Sequence, residues 1–353
     1  TLCGCKELDG DMIDRIRGAQ EIGEAAKTIF KSLDPSSLDC VAIRVVHGGD
    51  QFIEPTLVNP RVIQDLRQFE HLAPLHLPTD LAVLEAACRL LDCPVYAVFD
   101  TMFHRTLPDI ARYYPLPSGI REKYPRYGFH GFAHQSVSEI FRNAPSSVEH
   151  STSTDRIISL HFGGGASACA VLLGKSVATT MGMTPLDGLM MSTRSGSIDP
   201  GIVLSLLRDG QTVDEVDRLL NQRSGLLGVS GISADTRDVL PAMQGGDANA
   251  NLAIDMYVQR VRQTVGALIA TLQGCDALLI SGALVKDSVL LRKRLLSNLA
   301  CFDIRLCEES NQQSDELKAP TRLSRQGVTI AYVPAREEQQ MALALMRHMD
   351  AGG

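Results

Sequence analysis

The stretch His161-Phe-Gly-Gly-Gly-Ala-Ser-Ala-Cys-Ala170, with Met191-Ser-Thr-Arg-Ser-Gly-Ser-Ile-Asp-Pro200 further on, places three consecutive glycines between apolar runs and an arginine loop after them. Glycines have no Cβ, so their backbone N–H groups can approach an anion closely. The planar guanidinium of Arg194 matches the oxygens of a phosphate or a carboxylate. A lone glycine turn is often purely structural, but together these features predict a phosphate site.

Two well-known phosphate motifs do not account for this segment. Gly174-Lys175-Ser176 resembles the end of a P-loop, but Cys169 stands where that motif requires a glycine. Residues 163–168 fit the alanine-ended dinucleotide fingerprint, yet strand-like residues follow where that motif needs a helix. The sequence therefore indicates a glycine turn between two β-strands.

Composition limits the class of protein. A chain of 353 residues, 44% of them hydrophobic, is long enough for two cores. Its net charge of -7, without a lysine or arginine cluster, argues against a nucleic-acid partner. The sequence contains no run of about eighteen apolar residues, which is the length a membrane span requires, and it has no signal-peptide pattern. The nine cysteines include only one close pair, Cys3 and Cys5, so we expect reduced thiols in a cytoplasmic protein.

Hydrophobic periodicity predicts two α/β cores without repeats or low-complexity tracts. The predicted strands are 40–46, 95–99, 156–162, 166–173, 176–180, 277–281 and 328–333. The predicted helices are 9–32, 60–69, 79–92, 133–142, 200–208, 213–221, 249–272 and 337–349.

Polar residues cluster near the ends of these strands. Asp100 directly follows one strand, and Arg44 lies in another. Histidines concentrate in glycine- or proline-rich loops, where imidazole often serves polar chemistry: His47, His76, His104, His130, His134 and His161. Any single one of them is more often structural, and no HExxH or His-x-His spacing supports zinc. Arg194 is the strongest single candidate for a site.

Six segments together carry a resemblance to a known family. They are Arg44-Val-Val-His-Gly-Gly49, Ala73-Pro-Leu-His76, Phe99-Asp-Thr-Met-Phe-His104, Arg126-Tyr-Gly-Phe-His-Gly131, His161-Phe-Gly-Gly-Gly165 and Met190-Met-Ser-Thr-Arg-Ser-Gly-Ser-Ile-Asp-Pro200. Their order and spacing resemble those of acetate kinases from about Val41 to the C-terminus.

The resemblance implies a fold and a domain organisation. The expected architecture is α/β, with two ribonuclease-H-like (actin-like ATPase) domains flanking a nucleotide cleft. The first domain would comprise residues 1–102 and be rejoined by a helix at 339–353. The second, residues 103–338, would bind the nucleotide and form a homodimer.

The resemblance also implies catalytic roles. It places Arg44 and Arg194 on the carboxylate and the transferring phosphoryl group, with His130 stabilising the transition state. Asp100 would act near the attacking carboxylate or hold the water shell of the metal, and Glu337 matches a Mg²⁺ carboxylate. Phosphoryl transfer spreads negative charge, so preorganised cations suit these roles.

The substrate contacts implied by the resemblance fall into two sets. A small apolar pocket for the acetate methyl, with a nearby histidine, comprises Val46, Leu75, His76, Phe129 and Pro185. The ATP contacts comprise His161, Gly163, Gly164, Gly165, Asp235, Thr236, Arg237, Gly282, Ala283 and Leu284. Such an acyl pocket distinguishes one methylene by only about 1–3 kcal/mol, so propionate is a second expected substrate.

Three departures from the family pattern keep alternatives open. Nothing in residues 1–40 matches the family's Asn-x-Gly-Ser-Ser-Ser-x-Lys-like phosphate loop, so we expect an N-terminally shortened first domain with an open sheet edge. Gly164 stands where many relatives have Asn. Ala283 and Val285 add side chains where relatives have glycines, which would narrow the nucleotide pocket.

The leading hypothesis is an acetate kinase-like phosphotransferase that converts ATP and acetate to ADP and acetyl phosphate with Mg²⁺. One alternative is a weakened or non-catalytic family member that acts as a binding or structural protein. The other is an acetate kinase that uses pyrophosphate in place of ATP.

Overall fold

The computed structural model describes residues 19–32, 38–74, 76–144, 155–312 and 317–352, with backbone alone for residues 19–24 and 32. The chain divides into two compact units. Unit 1 comprises Thr1–Arg105 and Arg336–Gly353, and unit 2 comprises Thr106–Ala335. No helix in the described part is both long enough and apolar enough to cross a membrane.

Unit 1 is built on a three-stranded sheet of order β1-β3-β2, where β1 is Val41–Val45, β2 is Thr56–Leu57 and β3 is Val95–Phe99. β1 and β3 are parallel, with Val45 opposite Phe99, so both strands end at the same edge of the sheet. The helices are α1 (Ala19–Ser32), α2 (Pro60–Arg67), α3 (Leu77–Leu90) and α15 (Glu337–Asp350).

Unit 2 is built on a six-stranded mixed sheet of order β6-β5-β4-β7-β9-β8. Strands β4 to β6 run antiparallel, whereas β4, β7 and β9 are parallel. The strands are β4 (Arg156–Phe162), β5 (Ala166–Leu172), β6 (Lys175–Thr179), β7 (Ala277–Ser281), β8 (Thr321–Arg322) and β9 (Thr329–Tyr332).

The central strands of this sheet are almost fully buried. The helices of unit 2 precede the first strand of the sheet or connect later strands along the chain. The helices are α4 (Asp109–Arg112), α5 (Ser118–Arg121), α6 (Gly131–Arg142), α7 (Pro200–Arg208), α8 (Val213–Gln222), α9 (Gly225–Ser230), α10 (Thr236–Gln244), α11 (Ala248–Leu272), α12 (Ala283–Lys286), α13 (Val289–Leu296) and α14 (Glu308–Gln312). Short 3-10 turns occupy Glu70–Leu72, Met102–Thr106 and Ala300–Phe302.

The seven predicted strands and the longer predicted helices are present within a few residues of the expected bounds. The helix predicted at 9–32 is described from Ala19, and residues 9–18 lie outside the described part. Seven helices were not predicted: α4, α5, α9, α10, α12, α13 and α14. Most are too short for a periodic pattern, and α10 contains Pro241, which ordinarily disfavours a helix interior.

Candidate active site

The edge at which β1 and β3 end carries a buried ion pair. Arg44 precedes the last residue of β1, and Asp100 follows β3. Nη2 of Arg44 lies 2.8 Å from Oδ2 of Asp100, whose side chain is fully buried, whereas that of Arg44 is 39% exposed. The nearby Asp100 carboxylate raises the pKa of Arg44 further above its usual value. Nε of Arg44 is buried and has no hydrogen-bond partner among the described residues, so it remains available to a ligand oxygen.

Two further carboxyl groups surround this pair. Glu337 begins α15, and burial, followed by repulsion from Asp100, raises its pKa to about 7. Asp80 on α3 accepts a hydrogen bond from the backbone N–H of Val46 at 2.8 Å. Burial raises the pKa of Asp80 to about 7 as well, although Val46 and Arg44 oppose the shift. Arg44 thus lies among three carboxyl groups, and the charge of Asp100 disfavours ionisation of the other two.

The acyl-pocket residues of unit 1 follow from the same edge. Val46 is buried directly after β1, and its backbone is fixed by Asp80. His76 is partly exposed and precedes the first residue of α3. Leu75 lies outside the described residues. Asp80 could not be singled out from the sequence, because acidic residues are common in the first turn of any helix.

In unit 2, two histidines lie under the glycine turn that joins β4 to β5. A Cβ added at Gly163 would lie 3.5 Å from Nε2 of His161, and one added at Gly165 would lie 3.4 Å from Nε2 of His130. The two imidazole rings are 4.9 Å apart, edge to face. A Cβ at Gly164, which is exposed, would meet no atom within 4 Å. The turn is therefore open on one side and lined by two imidazole nitrogens.

Serine hydroxyls contact the Nδ1 atom of each histidine. Oγ of Ser167 lies 2.8 Å from Nδ1 of His130 and 2.8 Å from Nε2 of His134. Oγ of Ser281 lies 2.9 Å from Nδ1 of His161 and donates to the carbonyl of Leu160 at 3.2 Å. Because that hydroxyl has one proton, Ser281 accepts from Nδ1–H of His161.

The His134 contacts extend this network into the core. Nδ1 of His134 lies 2.9 Å from Oγ of Ser159, and both residues are fully buried. The chain from Ser159 through His134 and Ser167 to His130 holds the imidazole of His130 in one orientation. The sequence analysis named His134 only as one of several histidines and missed the serines. A single serine within an apolar strand gives no signal of its own.

His130 has a strained backbone. It precedes α6 with φ 57 and ψ 32, the left-handed region that a non-glycine residue adopts at a cost of about 1–2 kcal/mol. Its neighbour Phe129, an expected acyl-pocket residue, is 1% exposed. Strain of this kind is concentrated at functional sites, which supports a role for the His130 side chain.

The arginine loop is fastened by its backbone. The carbonyl of Arg194 accepts from Met191 N–H at 3.1 Å, and Ser195 N–H donates to Leu220 O on α8 at 3.0 Å. Gly225, at the start of α9, has φ +62 and approaches so closely that a Cβ there would lie 2.2 Å from Met191 O. Burial lowers the pKa of the Arg194 guanidinium, which nevertheless stays charged. Asp199 caps α7 by accepting from Gly201 N–H at 2.8 Å.

The loop that carries Pro185 is held by a polar cluster. Arg126 donates to the carbonyls of Thr180 and Met181, both at 2.9 Å, and lies 3.3 Å from Asp187. The Arg126 guanidinium also lies over the ring of Tyr114, 5.1 Å from its centroid. The partly exposed Pro185 therefore lies on a loop that is ordered before any ligand binds.

A cavity of about 410 Å³ lies elsewhere in unit 2. Its lining includes four of the expected nucleotide contacts, Thr236, Arg237, Ala283 and Leu284, together with Leu240, Pro241, Gln244, Asp287, Ser288 and Leu290. Cavities of about 300–1,000 Å³ with mainly apolar walls and a few polar groups are typical of small-molecule sites.

Asp235 and Gly282, the other two expected nucleotide contacts in these segments, directly precede the lining residues Thr236 and Ala283 along the chain. Asp235 caps α10, with Oδ1 accepting from Arg237 N–H at 2.7 Å. Gly282 precedes α12 with φ +97, and a Cβ there would lie 2.2 Å from Phe162 O, so only glycine fits. Val285 is fully buried and does not line the cavity. The expectation that Val285 narrows the nucleotide pocket is therefore wrong, because its side chain packs into the core.

No group of three or more metal-binding side chains is found among the described residues. Burial, followed by repulsion from Asp100, nevertheless raises the pKa of Glu337, which indicates that the two carboxyl groups lie near each other. Mg²⁺ commonly binds to one or two carboxylates and takes its other ligands from phosphates and water. The pair fits a site of that kind.

Similarity to known proteins shows the family of the chain. The model of the acetokinase family matches residues 8–343. An acetate kinase from Clostridium botulinum (strain Langeland) is 41% identical over 314 residues, which cover 88% of this chain and 78% of that protein.

Two solved structures resemble the chain closely. The crystal structure of an acetate kinase from Porphyromonas gingivalis has a TM-score of 0.81 at 33% identity and covers 92% of this chain and 84% of the other. A propionate kinase from Francisella tularensis has a TM-score of 0.82 at 31% identity, with coverages of 92% and 83%. These matches confirm the expected α/β fold of the actin-like ATPase type. The family match extends over nearly the whole chain, and the chain therefore belongs to the acetokinase family.

Proposed function

We propose that the protein transfers the γ-phosphoryl group of ATP reversibly to acetate. A carboxylate oxygen of acetate attacks the phosphorus, the bond to the bridging oxygen breaks, and acetyl phosphate and ADP are formed. The observation that carries the proposal is the glycine turn with Nε2 of His130 and Nε2 of His161 beneath it. A glycine turn next to two imidazole rings that lie 4.9 Å apart suits the charge that develops on a transferring phosphoryl group.

The remaining roles follow from charge and position. Arg44, with its free Nε, would hold carboxylate or phosphoryl oxygens, and Asp100 orients that guanidinium. Arg194 would supply a second cation on a loop that is already fixed. Val46 in unit 1, and Phe129 and Pro185 in unit 2, are the described residues that the family resemblance assigns to the acyl group. Because such a pocket separates substrates that differ by one methylene by only about 1–3 kcal/mol, we expect propionate as a weaker substrate.

Mg²⁺ is the proposed cofactor, with Glu337 and Asp100 as the residues that would hold it. When bound, it would neutralise charge on the phosphate oxygens. Asp80 has a separate role, since its carboxyl group accepts from the backbone of Val46.

The cavity lined by Thr236, Arg237, Ala283 and Leu284 favours a nucleoside triphosphate over pyrophosphate. Pyrophosphate has no nucleoside, so it would leave this cavity empty.

Acetyl phosphate formation, measured with hydroxylamine as the trapping reagent, tests the proposal. The purified protein is supplied with acetate and Mg²⁺ and with either ATP or pyrophosphate. Turnover with ATP supports the proposed donor, and turnover with pyrophosphate alone would replace it. Absence of turnover with both donors would favour the alternative of a binding or structural protein. Propionate in place of acetate measures the selectivity of the acyl pocket.

The raised pKa values of Asp80 and Glu337 predict how stability depends on pH. Each group has a pKa of about 7 in the folded protein, whereas the ordinary pKa is 3.8 for Asp80 and 4.5 for Glu337. At pH values between the ordinary pKa and about 7, the folded state therefore binds more protons than the unfolded state. Stability from these groups is therefore present at low pH and is lost as pH rises through about 7. We expect the double variant Asp80→Asn, Glu337→Gln to exceed the metal-free wild type in Tm at pH 8, with a smaller advantage at pH 6. An advantage that is equal at both pH values would contradict the raised pKa values.

We also propose a homodimer, formed through α7. This nine-residue helix has no buried residue, and Ile202, Leu204 and Leu207 on it are 49%, 51% and 36% exposed. A second copy of the chain would bury these side chains, and stable interfaces bury about 800 Å² per partner. We expect Leu204→Glu to give a monomer by light scattering. The control Ile110→Glu, at a side chain that is 94% exposed on α4, should stay dimeric. A monomeric wild type would exclude this interface.

Cytoplasmic localisation is part of the same proposal. Every cysteine among the described residues is a free thiol. Free thiols are typical of compartments that keep cysteine reduced.

A further inference from the structure

Arg292 on α13 is a fully buried arginine. Its guanidinium donates to Oδ1 of Asn311 at 2.7 Å, to the carbonyls of Val285 at 2.6 Å and Lys286 at 2.8 Å, and to the carbonyl of Asn311 at 2.7 Å. All four acceptors are uncharged. Burial lowers the pKa of Arg292, but the group stays cationic. A buried cation without a carboxylate hydrogen-bonded to it is costly, and here the four neutral oxygens offset part of that cost.

The backbone that Arg292 holds is one wall of the cavity. Val285 and Lys286 end α12, the helix that contributes Ala283 and Leu284 to the lining, and Asp287 and Ser288 follow directly. Arg292 therefore fixes the C-terminal end of this wall through the carbonyls of Val285 and Lys286, and it does not line the cavity itself.

Asn311 completes the arrangement from α14. Like Arg292 it is fully buried, and its Nδ2 donates to the carbonyl of Val289 at 3.0 Å. Its backbone N–H donates to Cys307 O at 2.9 Å. Asn311 thus links Arg292 to the first residue of α13, immediately after the cavity residue Ser288. We call Arg292 and Asn311 the wall clamp.

The N-terminal end of the same wall is fixed by close packing. Gly282 lies directly against the carbonyl of Phe162, the last residue before the glycine turn. The segment 282–288 is therefore held at both ends, by contact with β4 at one end and by the wall clamp at the other. If the wall is already ordered in the free protein, less conformational entropy is lost when the ligand binds.

We propose that Arg292 and Asn311 are positioning residues for the nucleoside half of the phosphoryl donor. The inference rests on the proposed function, because it assigns the cavity to the nucleoside of ATP. Loss of the wall clamp would weaken binding of ATP or ADP and leave the residues assigned to acetate, such as Arg44 and Val46 in unit 1, unaffected.

Steady-state kinetics of Arg292→Lys and Asn311→Ala test the proposal. A lysine ammonium cannot reproduce the four bonds of the guanidinium, and the alanine removes the side-chain acceptor of Arg292. We expect the KM for ATP to rise about tenfold or more, equivalent to about 1.4 kcal/mol, with the KM for acetate within about twofold of wild type. The matched control is Lys293→Met on the same helix, where an exposed lysine pairs with Glu308 of α14 at 2.9 Å. That variant should keep both KM values.

Hydrogen exchange gives a second readout that does not depend on activity. In the folded Asn311→Ala protein, we expect amides 283–288 to exchange about tenfold faster or more than in wild type, equivalent to a loss of about 1.4 kcal/mol of protection, and ADP to restore part of it. Equal changes in the two KM values, or wild-type exchange at 283–288, would overturn the proposal. If the wild type forms no acetyl phosphate with ATP, the proposed function fails, while the exchange rates still decide whether the wall clamp holds the segment. If Arg292→Lys does not fold, Asn311→Ala carries both tests.

Discussion

Replacing Arg194 by alanine is expected to lower kcat by about 10³-fold or more while the protein stays folded, since arginines on a transferring phosphoryl group contribute about 10³–10⁵. The loop that carries Arg194 is fastened through backbone bonds. Arg194 O accepts from Met191 N–H, and Ser195 N–H donates to Leu220 O. An alanine keeps these bonds, so the loss should fall on chemistry and leave the free energy of unfolding nearly unchanged.

The control for this prediction is Arg223→Ala. Arg223 is an exposed arginine that follows α8, close in sequence to the residues that fasten the arginine loop. The substitution Arg223→Ala removes the same charge from the same unit as Arg194→Ala, and we expect its kcat to be near normal. A second variant, Arg194→Lys, tests whether the planar fork matters, because lysine keeps the charge and loses the bidentate geometry. Near-normal kcat in Arg194→Ala would refute the proposed role.

Replacing His130 by alanine is the second substitution with a large expected effect. Removal of a single preorganised donor from a developing oxyanion typically costs about 10²–10³ in kcat, and we expect a loss of that size. His130 has φ 57, so the substitution must be separated from its effect on the backbone. His130→Asn provides that separation, since asparagine tolerates the left-handed region better than most residues.

His130→Asn should unfold at nearly the wild-type temperature, and both His130 variants should lose activity. If His130→Asn keeps the kcat of the wild type, the imidazole has no catalytic role. Ser167→Ala offers a graded comparison, because it removes the hydroxyl that contacts Nδ1 of His130 and leaves the ring itself. Its loss should be smaller than that of His130→Ala, and Ser136→Ala, a buried serine on α6, is the control.

Residues that act at the ends of strands could be predicted from the sequence. Arg44 and Asp100 belong to neighbouring apolar runs, and parallel strands bring their ends together, so the pair at 2.8 Å follows from the pattern once the strands are correct. The glycine turn was likewise predictable, since the runs on either side of Gly163 to Gly165 are strand-like. Such features depend on local periodicity and short-range turns.

Residues that act through tertiary contacts could not be predicted in this way. Ser167 and His134 are 33 positions apart, and their bond depends on how α6 packs on the sheet, chiefly on β4 and β7. The contact of Arg292 with Asn311 spans 19 positions and involves two helices too short to show a period. The sequence predicts Val285 in the nucleotide pocket only because this residue stands where relatives have a glycine. The direction of its side chain is set by α12, which places it in the core. Packing decides these cases, and single-sequence patterns do not encode it.

Phosphorus NMR of the protein with ATP, acetate and Mg²⁺ tests the central claim most directly, because it resolves the transferred group itself. The account predicts that an acetyl phosphate resonance grows in equal amount to ADP, and that the Arg194→Ala protein produces neither at a comparable rate. Formation of ADP with inorganic phosphate alone, or an unchanged ATP spectrum, would contradict direct transfer to the carboxylate.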